Sequence, residues 1–292
     1  MGDEHAKEVR ARERFAFGRN WRHFLGSVDE ARIVQAGDSL KQMLAVDSLR
    51  GRSFLDIGSG SGLFSLAARR LGARVHSFDY DPDSVACTAE LKDRYFPGDG
   101  SWTIEVGSAL DRGYLESLGT FDIVYSWGVL HHTGDMWRAL DYARLPSVRG
   151  GTLFIAIYND QGGASKRWRR IKRFYQESSA PIRLALVTAI GAFFTLRASL
   201  IRLIRRQNPF PSRDRIRTSR GMSVWYDLVD WVGGYPFEVA KPEGIVDFFH
   251  ARGLTLVRLR TVGGALGCNE FVFVNTPLPP AVPSVPSGGT TH

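Results

Sequence analysis

Short apolar strands alternate with helical segments through the middle of the 292-residue chain, and this alternation limits the fold more than any other feature. Strands separated by helices in this way form a parallel sheet, because right-handed crossovers place the helices on both of its faces. The sequence therefore predicts an α/β, Rossmann-like, doubly wound fold. Its first five predicted strands are 53–57, 74–79, 102–106, 121–126 and 151–158.

Five regions are predicted around this alternation. Residues 1–50 form an N-terminal helical lid of two or three helices, 51–160 the Rossmann-like core, and 161–240 a helical insertion. A helix and a hairpin of two strands over 241–276 complete a mostly parallel sheet of seven strands, so that the insertion lies between strands five and six. Residues 277–292 are rich in proline, serine, glycine and threonine, which predicts a disordered tail.

The first predicted strand leads into a turn in which glycine alternates with serine, at Gly58, Gly60 and Gly62. Glycine lets the backbone turn sharply from strand to helix and lets a ligand approach without interference from Cβ atoms. Dinucleotide enzymes use a different spacing, with a third glycine where this chain has Leu63. Asp79 ends the next strand, where a carboxylate can accept hydrogen bonds from both hydroxyls of a ribose. The pattern indicates a nucleotide-type site that does not cradle a pyrophosphate.

With Asp56 inside the strand, this segment resembles the hydrophobic-Asp-hydrophobic-Gly-x-Gly-x-Gly turn of class I S-adenosylmethionine-dependent methyltransferases. The resemblance extends over about residues 50–160 and 240–275 and looks closest to the quinone-biosynthesis O-methyltransferase-like group. It implies S-adenosylmethionine as cofactor, with Asp56 at the methionine end, Asp79 at the ribose and Tyr80 against the adenine. The cofactor-binding residues that it implies are Asp56, Gly58, Ser59, Gly60, Gly62, Asp79, Tyr80, Ser108, Ala109, Ser126 and Trp127.

Two adjacent histidines, His131 and His132, follow predicted strand four at the edge of the sheet where ligands bind. Methyl transfer from a sulfonium is an in-line displacement, so the protein mainly aligns the acceptor and excludes water. A general base assists an oxygen or nitrogen acceptor, which makes either histidine a candidate catalytic residue. Alternatively, both are structural, since a Val-Leu-His-His loop is common in this family whatever the substrate. No metal site is predicted.

Aromatic side chains on both sides of the core are candidates for the acceptor pocket. Phe17, Trp21 and Trp127 can stack on the cofactor or the acceptor, with the N-terminal pair acting as a lid, or can simply pack the N-terminal helix. Those in the stretch 222–235 can form the pocket wall, or can be plain core. The predicted substrate-contacting residues are Phe17, Trp21, Trp225, Tyr226 and Tyr235.

The insertion carries the positive charge of the chain, whose net charge is +8. Residues 163–220 contain 15 lysines and arginines against 2 acidic residues, whereas the rest of the chain has 23 basic and 28 acidic residues. Within the insertion, residues 184–196 are apolar, and this run of 13 residues is too short to span a bilayer. The segment is interpreted as a substrate cap, as a peripheral membrane contact through 165–206, or as an RNA clamp. The apolar run favours the first two interpretations over nucleic acid.

The composition is that of an ordinary globular protein, with 43% hydrophobic and 23% charged residues, which excludes a disordered or fibrous chain. The distant cysteines Cys87 and Cys268 and the charged start without a secretory signal predict a reduced, cytoplasmic location, with or without membrane association. The predicted function is S-adenosylmethionine-dependent methyl transfer to an oxygen or nitrogen of a small-molecule acceptor, a lipid-soluble or natural-product metabolite. An RNA-modifying methyltransferase and a non-catalytic binding module on the same fold are the alternatives.

Overall fold

A computed structural model describes residues 2–26, 28–208 and 224–276, with a seven-stranded sheet at its centre. The strands are β1 (Ser53–Ile57), β2 (Arg74–Asp79), β3 (Trp102–Val106), β4 (Phe121–Trp127), β5 (Ser147–Tyr158), β6 (Thr255–Arg260) and β7 (Cys268–Val274). Their order across the sheet is β3-β2-β1-β4-β5-β7-β6. Strands β1 to β5 are parallel, and β7 is antiparallel to both β5 and β6. The predicted mostly parallel sheet and its final hairpin are confirmed.

Helices cover both faces of the sheet, and the predicted N-terminal helices and helical insertion are present. Three helices, α1 to α3, precede β1, and α8 to α10 lie between β5 and β6. A 3-10 turn, Leu130–His132, follows β4. The helices are α1 (Gly2–Arg10), α2 (Phe17–Leu25), α3 (Glu30–Leu44), α4 (Leu63–Arg70), α5 (Pro82–Tyr95), α6 (Arg112–Ser117), α7 (Met136–Ala143), α8 (Gly163–Glu177), α9 (Ala180–Ile204), α10 (Val224–Gly233) and α11 (Pro242–His250).

Successive residues of the strands enter two separate apolar cores. Phe54 packs in the core beneath α3, α4 and α5, whereas the next residue, Leu55, packs in the core beneath α7 and α11. Phe154 and Leu153 of β5 divide in the same way. This alternation follows from the pleat of a strand, which directs neighbouring side chains to opposite faces. Because both faces are covered, the ligand-accessible edge of the sheet is the one where the parallel strands end.

Two elements differ from the sequence prediction near the sheet. Helix α6 was not predicted, because it has only six residues; its start is marked by Asp111, whose carboxylate accepts a hydrogen bond from the Tyr114 amide at 3.0 Å. Strand β5 begins at Ser147, four residues before the predicted start, because Ser147 pairs with Phe121 beyond a register irregularity. Neither difference moves the carboxyl ends of the strands.

The apolar segment of the insertion is longer than predicted. Its 13 uncharged residues lie within α9, a helix of 25 residues. By length and composition this helix is long and apolar enough to cross a membrane, so the prediction of a segment too short to do so is wrong for the helix as a whole. The helix continues past Arg197 because leucine, alanine and arginine all favour helical backbone.

Two predicted regions fall partly or wholly on residues that are not described. Residues 209–223 of the predicted insertion and the whole predicted tail 277–292 lie outside the described residues. The two cysteines, Cys87 and Cys268, are both buried, and they form no disulfide.

Candidate active site

The turn between β1 and α4 depends on glycine. Gly58, Gly60 and Gly62 have φ angles of +78°, +56° and +79°, in the left-handed region that other residues rarely adopt. A Cβ atom added at Gly58 would lie 2.4 Å from a methyl carbon of Val129, in the loop after β4. The absence of a side chain at position 58 therefore lets the loop after β4 close against the glycine turn.

Two carboxyl groups lie at this turn. Asp56 is buried in β1 and accepts a hydrogen bond from the Ser65 hydroxyl at 2.5 Å; burial raises its pKa to about 7. Asp79, at the end of β2, accepts hydrogen bonds from the amides of Gly60 and Asp81, each at 2.9 Å. Burial raises the pKa of Asp79 to about 6, against the effect of these two amides. Because a nearby cation stabilises such carboxylates, the pair suits a ligand that carries positive charge.

One cavity of about 1600 Å³ extends from the carboxyl pair to the helices of the insertion. It is bounded by α1 and α2, by the turns that follow β1 to β4, and by α9 and α10. The predicted site residues that line it are Phe17, Trp21, Asp56, Gly58, Ser59, Gly60, Asp79, Tyr80, Ser108, Ala109, Trp127, His132 and Trp225. Residues separated by as much as 200 positions in sequence thus surround a single space.

Five predicted site residues have no place in the lining of this cavity: Gly62, Ser126, His131, Tyr226 and Tyr235. The Ser126 hydroxyl instead donates to the carbonyl oxygen of Ile57 at 3.0 Å and links β4 to β1. The ring of Tyr226 stacks on His23, with 4.7 Å between ring centroids, because neighbouring residues of a helix point about 100° apart and Trp225 faces the cavity. Tyr235 lies at a separate surface depression.

Arg14, which sequence reasoning did not assign to the site, joins three parts of it. Its Nη1 and Nη2 donate to the carbonyl oxygens of His132 and Thr133 at 2.8 and 3.2 Å. Its Nε pairs with Glu8 at 2.6 Å, and its guanidinium lies 5.0 Å from the ring centroid of Tyr80. The link between α1 and α2 is thereby fixed to the loop after β4 and to the tip of β2.

Helix α2 covers the glycine turn directly. A Cβ atom added at Gly60 would lie 3.1 Å from the indole of Trp21, so the ring is positioned over the turn. The Gly18 amide donates to Asp81 at 2.8 Å, and this anchors the start of α2 to the residue that caps α5. The predicted lid region therefore packs against the turn through backbone and aromatic contacts.

The two histidines have different surroundings. His131 is fully buried, and its Nδ1 accepts a hydrogen bond from the Tyr158 amide at 3.3 Å. His132 lines the cavity, and its Nδ1 lies 2.6 Å from the carbonyl oxygen of Pro236. A carbonyl oxygen only accepts, so Nδ1 of His132 carries the proton, and Nε2 of the neutral ring is the nitrogen that can take up another. Of the two, His132 is the one placed to exchange a proton with a ligand.

The loops after β3 and β4 hold other predicted cofactor residues. The Ser108 hydroxyl accepts from the amide of Leu110 at 3.2 Å, which shapes the turn after β3. The indole of Trp127 donates to Glu270 of β7 at 2.8 Å, and Glu270 in turn pairs with Arg260 at 3.3 Å. The Trp127 ring is therefore held at the cavity wall by the hairpin that completes the sheet.

The far end of the cavity is aromatic and is supported by a buried lysine. Tyr158, at the end of β5, and Trp231 of α10 both line it. Lys172 of α8 is fully buried behind them, with its Nζ donating to the carbonyl oxygen of Trp231 and lying 5.9 Å from the centroid of the Tyr158 ring. Burial lowers the pKa of Lys172 to about 7. Sequence reasoning missed Tyr158, although its position at the carboxyl end of a parallel strand was the available signal.

Comparison with known proteins agrees with this geometry. Residues 55–155 match a protein family described as a methyltransferase domain. They begin one residue before Asp56 and include the glycine turn, Asp79, Ser108 and the loop after β4. This stretch is a class I, S-adenosylmethionine-dependent methyltransferase domain. The resemblance predicted from the glycine turn is confirmed.

Curated relatives match only parts of the chain. The methyltransferase domain is similar to a ubiquinone biosynthesis O-methyltransferase of Xanthomonas campestris, with 32% identity over 114 residues, which are 38% of this chain and 45% of that protein. It is also similar to a ribosomal protein L11 methyltransferase of Methylococcus capsulatus, with 43% identity over 68 residues, 23% of this chain and 22% of that protein. The chain thus spans less than half the length of the curated relatives it matches.

Solved structures share the fold over more of the chain. Magnesium protoporphyrin IX methyltransferase from Synechocystis, solved with bound S-adenosylhomocysteine, has a TM-score of 0.50 at 15% identity and covers 88% of this chain and 94% of its own. The N-methyltransferase NodS from Bradyrhizobium japonicum, also in complex with S-adenosylhomocysteine, has a TM-score of 0.50 at 14% identity, covering 89% and 99%. At this identity the likeness establishes the fold of the methyltransferase domain with its flanking helices.

Proposed function

We propose that the chain transfers a methyl group from S-adenosylmethionine to an oxygen or nitrogen atom of a small-molecule acceptor. The observation that carries this proposal is the single cavity that joins the Asp56–Asp79 turn to an aromatic pocket. The first end has the glycines and carboxylates suited to a cationic nucleoside. The second end has the apolar and aromatic surface, with few polar groups, that is typical of small-molecule sites.

The cofactor end suits S-adenosylmethionine residue by residue. Asp56 is buried with a pKa raised to about 7, so the ammonium of a methionine would stabilise its ionised form. Asp79 has one carboxylate oxygen on the Gly60 amide and the other on the Asp81 amide, which orients it for the hydroxyls of a ribose. Tyr80, held beneath the Arg14 guanidinium, provides a flat surface for the adenine.

When bound, S-adenosylmethionine supplies a methyl carbon attached to a positively charged sulfur, and the bond to sulfur breaks as the bond to the acceptor forms. The contribution of the protein is to align the acceptor and exclude water. Trp21 and the Arg14 contacts close one side of the cavity, and Trp231 and Tyr158 bound the other. The acceptor loses one proton in the reaction, and Nε2 of His132 is assigned to receive it.

We propose a cytoplasmic reaction, because two buried thiols that form no disulfide suit a reducing compartment. A small-molecule acceptor is preferred to RNA because the residues of α9 and α10 that bound the acceptor end are aromatic, aliphatic, threonine and aspartate side chains, whereas an RNA site needs exposed basic and aromatic residues together.

Calorimetric titration with S-adenosylmethionine and S-adenosylhomocysteine tests the cofactor half. Binding in the micromolar range is expected. Asp79→Ala should abolish binding, whereas Asp122→Ala should leave binding unchanged, because the Asp122 carboxylate contacts Ser53 at the start of β1 and β4, the end of the strands away from Asp79. Absence of binding by the unmodified protein would overturn the proposal.

Transfer of labelled methyl from S-adenosylmethionine into phenols, hydroquinones and amines tests the acceptor half. Turnover of at least one class is expected, with rates that change little between low and moderate salt. Transfer into RNA that falls steeply with salt would instead assign an RNA acceptor. Cofactor binding without transfer to any of these would favour a binding module.

A further inference from the structure

The outer side of α9 is an apolar stripe that the described part of the protein leaves uncovered. From Phe193 the next members are Leu196 and Leu200, at intervals of three and four residues, and Leu203 and Ile204 lie three and four residues beyond Leu200, the spacing of one helix face. The exposed fractions are 61% for Phe193, 71% for Leu196, 58% for Leu200, 62% for Leu203 and 73% for Ile204. In the whole helix only Val187 is buried. Contiguous apolar surface of this kind marks an interaction site.

The inner side of α9 belongs to the protein. Val187 packs in a small core with Tyr175 of α8 and Val232 of α10. A Cβ atom added at Gly191 would lie 2.7 Å from Leu228 of α10, so the two helices are in close contact there. Thr188, Gly191, Ala192 and Thr195 line the active-site cavity. The helix therefore has one protein-facing side and one free side, as a helix at an interface has.

The segment that carries the stripe is strongly positive. In residues 163–208 there are 11 lysines and arginines and one acidic residue, Glu177, which pairs with Arg173 at 2.9 Å. Lys166, Arg167 and Arg170 are exposed on α8, and Arg205 and Arg206 are exposed after the end of α9. A surface that combines aliphatic side chains with arginines complements anionic headgroups above acyl chains.

Two other arrangements fit these residues less well. By length and composition α9 could cross a bilayer, but Arg183 and Arg197 limit its uncharged run to 13 residues, and its inner side packs against α10 and lines the cavity instead of facing lipid. RNA phosphates match the arginines but leave the row of leucines without a partner.

We propose that α9 docks the protein on an anionic lipid surface. The helix lies parallel to the bilayer, with Phe193, Leu196 and Leu200 among the acyl chains and the arginines of α8 and α9 at the headgroups. The same helix lines the cavity through Thr188, Gly191, Ala192 and Thr195, so a lipid-soluble acceptor in the bilayer would lie beside the helix that bounds the site. This last consequence rests on the proposed function, whereas the docking itself does not.

Sedimentation with vesicles tests the docking. The full chain is mixed with vesicles of phosphatidylcholine alone and of phosphatidylcholine with phosphatidylglycerol, and the bound fraction is measured. We expect binding to the anionic vesicles, weakened by salt, and at least about tenfold weaker binding to the neutral ones. The triple variant Leu196→Gln/Leu200→Gln/Leu203→Gln should lose about a hundredfold or more in partitioning, since three side chains lose their apolar contact.

A control variant replaces three other exposed apolar residues, which lie outside α9. Val34, Val257 and Leu259 are 52%, 56% and 42% exposed, and their replacement by glutamine should leave vesicle binding unchanged. Both triple variants should bind S-adenosylmethionine as the unmodified protein does, which shows that they fold. If the unmodified protein does not bind S-adenosylmethionine, the proposed function is contradicted and the docking proposal is not.

Three results would overturn the docking proposal. The first is equal vesicle binding by the leucine variant and the unmodified protein. The second is a protein that alkaline carbonate fails to release from vesicles, which would mean a membrane-spanning helix. The third is a dimer without vesicles, measured by light scattering, that the leucine variant converts to a monomer; the stripe would then contact a second copy of the chain.

Discussion

Arg14 donates a hydrogen bond from Nη1 to the carbonyl oxygen of His132 at 2.8 Å, across 118 positions of sequence. The contact holds the N-terminal helices against the loop after β4. In this loop His132 lines the cavity and His131 is fully buried. The same guanidinium covers Tyr80. One side chain therefore contributes both to the position of the N-terminal helices and to the shape of the loop after β4.

Replacement of this side chain should weaken cofactor binding. In Arg14→Ala the carbonyl oxygens of His132 and Thr133 lose their donors, and Tyr80 loses its cover. We expect a rise of about tenfold in the Kd for S-adenosylhomocysteine, the size of one charged hydrogen-bond pair. Arg10→Ala is the matched control, because Arg10 is exposed at the end of α1. An unchanged Kd in Arg14→Ala would show that the other contacts of the N-terminal helices, such as the Gly18–Asp81 hydrogen bond, are sufficient to hold the lid.

A second prediction separates backbone strain from collision at the glycine turn. Gly58 and Gly51 have nearly equal φ angles, +78° and +75°, but only a side chain at position 58 would meet another residue, Val129 at 2.4 Å. Each change to alanine should destabilise the protein by about 1 kcal/mol through the left-handed backbone. Gly58→Ala should in addition abolish cofactor binding, whereas Gly51→Ala should preserve it. Urea unfolding and calorimetric titration measure the two effects, and equal cofactor affinity in both variants would contradict the assignment.

The sequence predicted the cofactor side of the site well because its residues are close in sequence. The glycine turn, Asp56 and Asp79 are fixed by the ends of two adjacent parallel strands, so their spacing alone brings them together. The fold could be predicted for the same reason, because the hydrophobic pattern of each strand and helix lies within its own few residues.

The acceptor side could be predicted only in part, because it depends on helix phase and on distant contacts. Trp225 and Tyr226 are adjacent, and only the orientation of α10 determines which of them faces the cavity. The partners of Arg14 are backbone carbonyls, which no side-chain pattern reveals. The length of α9 was underestimated because Arg197 ends the apolar run without ending the helix.

Asp56 should make the free protein less stable as pH rises. Its pKa is about 7 in the folded protein against 3.8 as the ordinary value, so the folded state holds the proton more tightly. The resulting loss of stability begins near the ordinary pKa and is complete above about pH 7, where the buried carboxylate must ionise. Asp56→Asn removes this cost. Between pH 5 and pH 8 the variant should therefore retain about 2 kcal/mol of free energy of unfolding that the unmodified protein loses.

The control for this pH effect is Asp122, whose pKa is shifted in the direction opposite to that of Asp56. Hydrogen bonds from Ser53 hold the pKa of Asp122 below its ordinary value, so that Asp122→Asn should reduce stability at pH 8 more than at low pH. Denaturant unfolding at the two pH values measures both variants. Equal pH dependence of Asp56→Asn and the unmodified protein would show that Asp56 is ionised at no cost. Asp56→Asn should also lose cofactor affinity, which separates its stability from its function.

His132 should act on the rate of methyl transfer and not on cofactor binding. Its Nδ1 is held by the carbonyl oxygen of Pro236, which leaves Nε2 as the proton acceptor at the cavity. His132→Asn retains a donor near the position of Nδ1 but removes the base, so kcat should fall about a hundredfold while the Kd for S-adenosylmethionine stays the same. The pH dependence of kcat on the acid side should disappear with it. His131→Asn is the comparison, because His131 is fully buried and its loss should lower the free energy of unfolding instead. If kcat is unchanged in both variants, the enzyme works by alignment alone and the acceptor loses its proton to water.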